Sequence, residues 1–63
     1  MADQLTSVFK ILDQVKSERG ALGTVVNFVN IQGRPYIKVQ WKNGTYGIYG
    51  NEEIKRYKIK RMT

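Results

Sequence analysis

The sequence predicts a small all-β domain of five short strands. Three observations point there. YIKVQWK (36–42) alternates apolar and polar residues and runs into Asn43-Gly44. TVVNFV (24–29) is β-branched and aromatic behind a Gly20 to Gly23 turn, and RYKIK (56–60) alternates again. Sixty-three residues form one domain, 1–63, and a chain this short buries only roughly 60% of its unfolded surface, which leaves little room for an enclosed catalytic pocket.

Taken in order, the N-terminal twenty residues admit two readings. Leu5, Val8, Leu12 and Val15, with Phe9, fit a helical stripe that Asp3 would cap. Phe9, Ile11 and Val15 equally fit a strand broken by Asp13. The reading adopted is a helical or irregular lead-in over residues 1–9 and a strand over about 10–16, because the sheet needs another strand to close. Both faces of TVVNFV are apolar, which suits a long curved strand packing in two sheets at once. Asn30 to Arg34 is the loop that leads to Pro35 and the next strand.

The hairpin at Asn43-Gly44 carries the register. A two-residue loop sets Lys42 against Thr45, Trp41 against Tyr46, Gln40 against Gly47, Val39 against Ile48 and Lys38 against Tyr49. Trp41, Tyr46, Val39 and Ile48, extended by Ile37, then form the core face. Tyr36, Lys38, Gln40, Lys42, Thr45 and Tyr49 face outward. A bulged loop with Gly44 in the left-handed region slips the pairing by one residue and mainly changes Tyr46 and Tyr49. Downstream, Gly50 to Ile54 reads as one helical turn. In the last strand Tyr57 and Ile59 point inward, and Arg56, Lys58 and Lys60 point outward.

With no cysteine and no histidine, the chain lacks disulfides, thiolate or imidazole metal ligands, cysteine nucleophiles and histidine acid–base catalysis. Glu52 and Glu53 diverge in a turn and Asp13 stands alone, expected to bond backbone amides near Gly20 to Gly23, so no convergent carboxylate pair arises. The expectation is a protein that is no enzyme and needs no cofactor or metal. No apolar run approaches a membrane span and MADQLTSVFK lacks the layout of a secretory signal, so a cytoplasmic location is expected.

The formal charge is +6, with a pI near 9.9. Residues 1–33 are neutral, and Arg34, Lys38, Lys42, Lys55, Arg56, Lys58, Lys60 and Arg61 against Glu52 and Glu53 supply the whole excess. An excess confined to one half steers toward a polyanion, nucleic acid first.

DQVKSERGALGTVV (13–26), YIKVQWKNGTYGIY (36–49) and the Ile54 turn together resemble the layout of SH3-like small barrels of the KOW, Tudor-like and mind-bomb/HERC types. The shared pattern is a D-x-V opening, a G-T-V second strand and V-x-W-x-N-G-T into a tyrosine-bearing fourth strand, covering roughly residues 10–60. The resemblance implies a five-stranded SH3-like barrel that serves as a binding module. The same residues are what a turn and a hairpin need structurally, so the choice of ligand is not carried by them.

Three surfaces compete for a role. The first is basic and aromatic: Arg34, Tyr36, Lys38, Lys42 and Tyr49, with Lys55, Arg56, Lys58, Lys60 and Arg61 from the last strand, suited to phosphate contacts with limited base stacking. Its bland counterpart is a solvated face that guards sheet edges; confinement of the charge to this half favours binding of DNA or RNA with low sequence selectivity. The second is an aromatic cage of Tyr36, Trp41, Tyr46 and Tyr49, which Trp41 and Tyr46 as core residues disfavour. The third is the N-terminal stripe of Leu5, Val8, Phe9 and Leu12. Left exposed, it favours an adaptor or inhibitor docking on an acidic partner protein, as a virus-encoded or mobile-element accessory factor would, or weak self-association.

Overall fold

The computed structural model describes residues 8–62. Residues 1–7, which hold most of the expected lead-in together with Asp3 and Leu5, lie outside the described residues. The described residues are mostly strand: β1 is Gln14–Lys16, β2 Leu22–Ile31, β3 Arg34–Trp41, β4 Tyr46–Tyr49 and β5 Lys60–Arg61, with a helix, α1, over Asn51–Tyr57. All five strands join one antiparallel sheet in the order β4-β3-β2-β1-β5. The sheet is open, with β4 and β5 as its edges.

The core lies on one face of this sheet. Val15, Val25, Ile37 and Val39 are fully buried there, Phe9 and Ile59 join them in the buried cluster, and Phe28, Trp41, Tyr49 and Ile54 pack around them. These side chains fall on alternate positions because successive strand residues point to opposite faces. β2 needs one correction of phase. Its pairing with β3 shifts between Val25 and Asn27, a bulge that spends one residue and lets Val25 and Phe28 share the core face although they are three apart. The two apolar faces of TVVNFV are thus explained by a bulge within a single sheet, not by membership of two sheets.

The turns differ from expectation in an instructive way. The Asn30 to Arg34 loop is shorter than expected: Gln32 and Gly33 alone connect Ile31 to Arg34, both with positive φ (52° and 80°), as a two-residue type I′ turn requires. Asn30 Oδ1 accepts a hydrogen bond from the Gly33 amide at 3.0 Å. At Asn43-Gly44 only Gly44 has positive φ, 94°. The Gly44 amide donates to Trp41 O at 2.9 Å and the Trp41 amide to Thr45 O at 2.8 Å, a three-residue loop ending in a bulge. Asn43 Oδ1 holds this form by accepting from both the amide (3.0 Å) and the hydroxyl (2.7 Å) of Thr45.

The bulged register therefore replaces the two-residue one. Gln40 pairs with Tyr46, Val39 with Gly47, Lys38 with Ile48 and Ile37 with Tyr49. Tyr46 and Ile48, expected in the core, face outward and are 57% and 45% exposed. Tyr49, expected outside, packs against the core.

The helix is longer and the last strand shorter than the sequence suggested. Glu52 and Glu53 in the first turn and Lys55 and Arg56 in the last complement the helix dipole. Glu53 Oε1 accepts from the Gly50 amide at 3.1 Å. The helix runs to Tyr57 and stops at Lys58, whose left-handed backbone (φ 52°) lets the Ile59 amide bond back to Ile54 O at 3.0 Å. Arg56 and Tyr57 are helical and the strand is Lys60–Arg61 alone. Of the strand expected over about 10–16 only Gln14–Lys16 forms, as β1, since residues 11 and 12 form a turn with Leu12 at φ 75°.

Candidate nucleic-acid interface

The face of the sheet opposite the core can be read row by row from the strand register. Lys60 lies opposite Lys16, Lys16 opposite Leu22, and the Lys42 amide bonds to Leu22 O at 2.8 Å. This first row therefore carries three lysines. The next holds Gln14, Thr24, Gln40 and Tyr46. Asn27, Lys38 and Ile48 follow, then Val29 with Tyr36, then Ile31 with Arg34.

None of the strand residues in these rows is a carboxylate; Glu53 comes to the far corner of the face, where its Oε1 and the Tyr36 ring both close on Gly50. Asp13 accepts from the Lys10 amide at 2.9 Å and pairs with Arg61 Nε at 3.1 Å, instead of bonding amides near Gly20 to Gly23. Glu18 sits 3.9 Å from Lys58 Nζ, and Glu52 and Glu53 belong to the first turn of α1. Lys16 and Lys60 meet directly across a strand pair, an arrangement that costs stability unless an anion lies between them.

The ten residues singled out from sequence separate into groups. Arg34, Tyr36 and Lys38 lie together on the outer face of β3, with Lys60 and Lys42 in its first row. Lys38 Nζ stands 4.8 Å over the ring of Tyr46, a cation–π contact that joins Tyr46 to this surface in place of Tyr49. Lys55 and Arg56 belong to the last turn of α1 and not to a strand. Lys58 faces Glu18, and Arg61 points to the core side, held by Asp13 and Val8 O. Lys16 was missed because the first half of the chain is neutral in sum; the antiparallel pairing of β1 with β5 is what brings it beside Lys60.

The aromatic residues also divide. Tyr36 covers Gly50 on the outer face, where a methyl group on Gly50 would lie 2.9 Å from its ring. Trp41 and Tyr49 are on the core side, so the four-residue cage does not assemble. Instead the Trp41 indole Nε1 donates to Tyr49 Oη at 2.9 Å, their ring centroids 5.9 Å apart at 78°, and Tyr49 meets Tyr57 edge-on at 6.0 Å and 82°. This Trp41–Tyr49–Tyr57 series backs an open groove of about 790 Å³ between the β1–β2 turn and the tip of the β3–β4 hairpin. Arg19, Lys42 and Arg56 also line it, together with Glu18. A smaller depression of about 320 Å³ opens toward Gln14, Thr24 and Gln40, and Leu22, Trp41 and Lys42 line both.

At the N-terminal end Phe9 is buried, while Val8, Ile11 and Leu12 are 49%, 46% and 73% exposed. Among the described residues no helix is long and apolar enough to cross a membrane. Comparison with known proteins returns no family model, no curated relative and no solved structure that matches the chain.

Proposed function

We propose that this chain is a binding module for nucleic acid, DNA or RNA, which it holds through the outer face of its sheet. The observation that carries the reading is a face whose strand residues include no carboxylate and on which Lys60, Lys16 and Lys42 share a row, with Arg34 and Lys38 following. Phosphates would neutralise these cations and release counterions, and the outward rings of Tyr36 and Tyr46 add stacking area. No contact of this kind reads a base edge in a groove, so sequence selectivity is low. We further propose that the sheet is a small SH3-like barrel. The strand order β4-β3-β2-β1-β5 and a helix placed between β4 and β5 support that assignment.

Fluorescence anisotropy with labelled single-stranded and duplex oligonucleotides across a salt series tests the function. About four to six phosphate contacts give a linear plot of log affinity against log salt with slope roughly −3 to −5. A flat plot, or no binding near 0.1 M salt, rejects it.

One observation favours a second reading, an adaptor that docks on an acidic protein: the exposed apolar trio Val8, Ile11 and Leu12 in a chain with a basic sheet face. Affinity capture with and without nuclease separates the two, since partners that survive nuclease treatment belong to the adaptor.

A further inference from the structure

We infer that the groove backed by Trp41, Tyr49 and Tyr57 takes one unpaired base of a single strand, stacked on Tyr57, so that the ligand is single-stranded nucleic acid. This rests on the nucleic-acid reading above and narrows it. Tyr57 ends α1 and is 46% exposed, while Tyr49 buttresses it edge-on. A half-exposed tyrosine ring held against a second ring offers a stacking platform for any base. Tyr49 Oη accepts the indole hydrogen of Trp41, which leaves the phenol's own hydrogen free to be donated to a base carbonyl or ring nitrogen in the groove.

Charge selects the same occupant. Arg19, Lys42 and Arg56 line the groove against one carboxylate, Glu18, which lies 3.9 Å from Lys58 Nζ. A phosphate on either side of the stacked base finds a cation there. The volume, about 790 Å³, is within the roughly 300–1,000 Å³ of sites that enclose small ligands. A base inside a duplex presents no free face, so entry requires an unpaired nucleotide. The strand has a continuous exit, because Trp41 and Lys42 line both this groove and the depression that opens toward Gln14, Thr24 and Gln40 on the outer face.

Trp41 is the one tryptophan of the chain, so its emission reports on this groove. The experiment uses the full chain with a single strand of about 12 nucleotides, inside the 4–16 that such modules cover, and a hairpin duplex of the same sequence. Anisotropy gives binding and Trp41 emission gives groove occupancy. The expected result is quenching by the single strand, little change with the duplex, and about tenfold weaker single-strand binding by Tyr57→Ala with duplex binding unchanged. Arg56→Gln, on the exposed helix, should weaken single-strand binding about threefold. Equal anisotropy with both oligonucleotides, no change in Trp41 emission and an indifferent Tyr57→Ala overturn the groove assignment while leaving the outer-face reading intact. Loss of anisotropy with every oligonucleotide overturns both. Quenching by a glutamate-rich peptide and not by the single strand makes the groove a protein-docking site and overturns the inference.

Discussion

Tyr49 reaches Trp41 by lying back along its own strand. The two are on opposite arms of the β3–β4 hairpin but far out of register, since Trp41 bonds to Thr45 while Tyr49 stands opposite Ile37. The Tyr49 side chain crosses over Gly47 to place its hydroxyl 2.9 Å from the indole nitrogen. Trp41 in turn occupies the space above Gly23, its cross-strand partner, where a methyl group would lie 2.7 Å from Cε3. Two glycines without positive φ are therefore needed as floor space for two rings, and the groove's back wall depends on both.

Gly47→Ala should disturb this arrangement without changing the fold. The added methyl group would lie within 2.6 Å of the Tyr49 ring, so the ring must leave its seat. A loss of about 1–3 kcal/mol in denaturant unfolding is expected, with a shift in Trp41 emission as its hydrogen bond breaks. Gly23→Ala should cost at least as much, because its methyl group also meets Val39 at 2.7 Å and the Gln40 carbonyl oxygen at 3.0 Å.

Gln32→Asn should stabilise the protein. Gln32 holds φ 52° at the first central position of a type I′ turn, where asparagine is the better tolerated side chain. A gain of about 0.5 kcal/mol, a part of the roughly 1–2 kcal/mol that left-handed backbone costs an ordinary residue, is expected in urea unfolding.

Lys16→Gln should move stability and binding in opposite directions. Removing its charge relieves the repulsion with Lys60, worth a few tenths of a kcal/mol of added stability at low salt. Oligonucleotide affinity should fall, and the magnitude of the salt slope should drop by about 1. Parallel urea melts and anisotropy titrations measure both.

Arg61→Gln separates a structural cation from a binding one. Its Nε lies 3.1 Å from Asp13 Oδ2 at a partly buried position on the core side. About 0.5–1 kcal/mol of stability should be lost, with the salt slope of oligonucleotide binding unchanged.

The strands around Trp41 were legible because period-two alternation leaves little choice for Ile37, Val39 and Trp41. The outward placement of Lys38 and Tyr36 followed from the same pattern. Register was not legible in the same way. Asn43-Gly44 serves two loop types, and the choice falls to the Asn43 side chain bonding Thr45, a three-dimensional event that moved Tyr46, Ile48 and Tyr49 to the opposite face. RYKIK is too short for its alternation to compete with a helix whose charges suit its dipole, so Arg56 and Tyr57 were misplaced. The groove was invisible to local patterns because Arg19, Trp41 and Tyr57 come from three separate elements.

Backbone amide shift mapping with an added single strand tests the central claim most directly. The expected perturbations fall on Lys16, Arg34, Tyr36 to Gln40, Lys42, Tyr46 and Lys60 on the outer face, and on Arg19, Arg56 and Tyr57 where the strand enters the groove, with Glu52 and the Ile11–Leu12 turn silent. Perturbations confined to Glu52, Lys55 and the Ile11–Leu12 turn, or none at saturating oligonucleotide, would contradict a nucleic-acid interface on the outer face of the sheet.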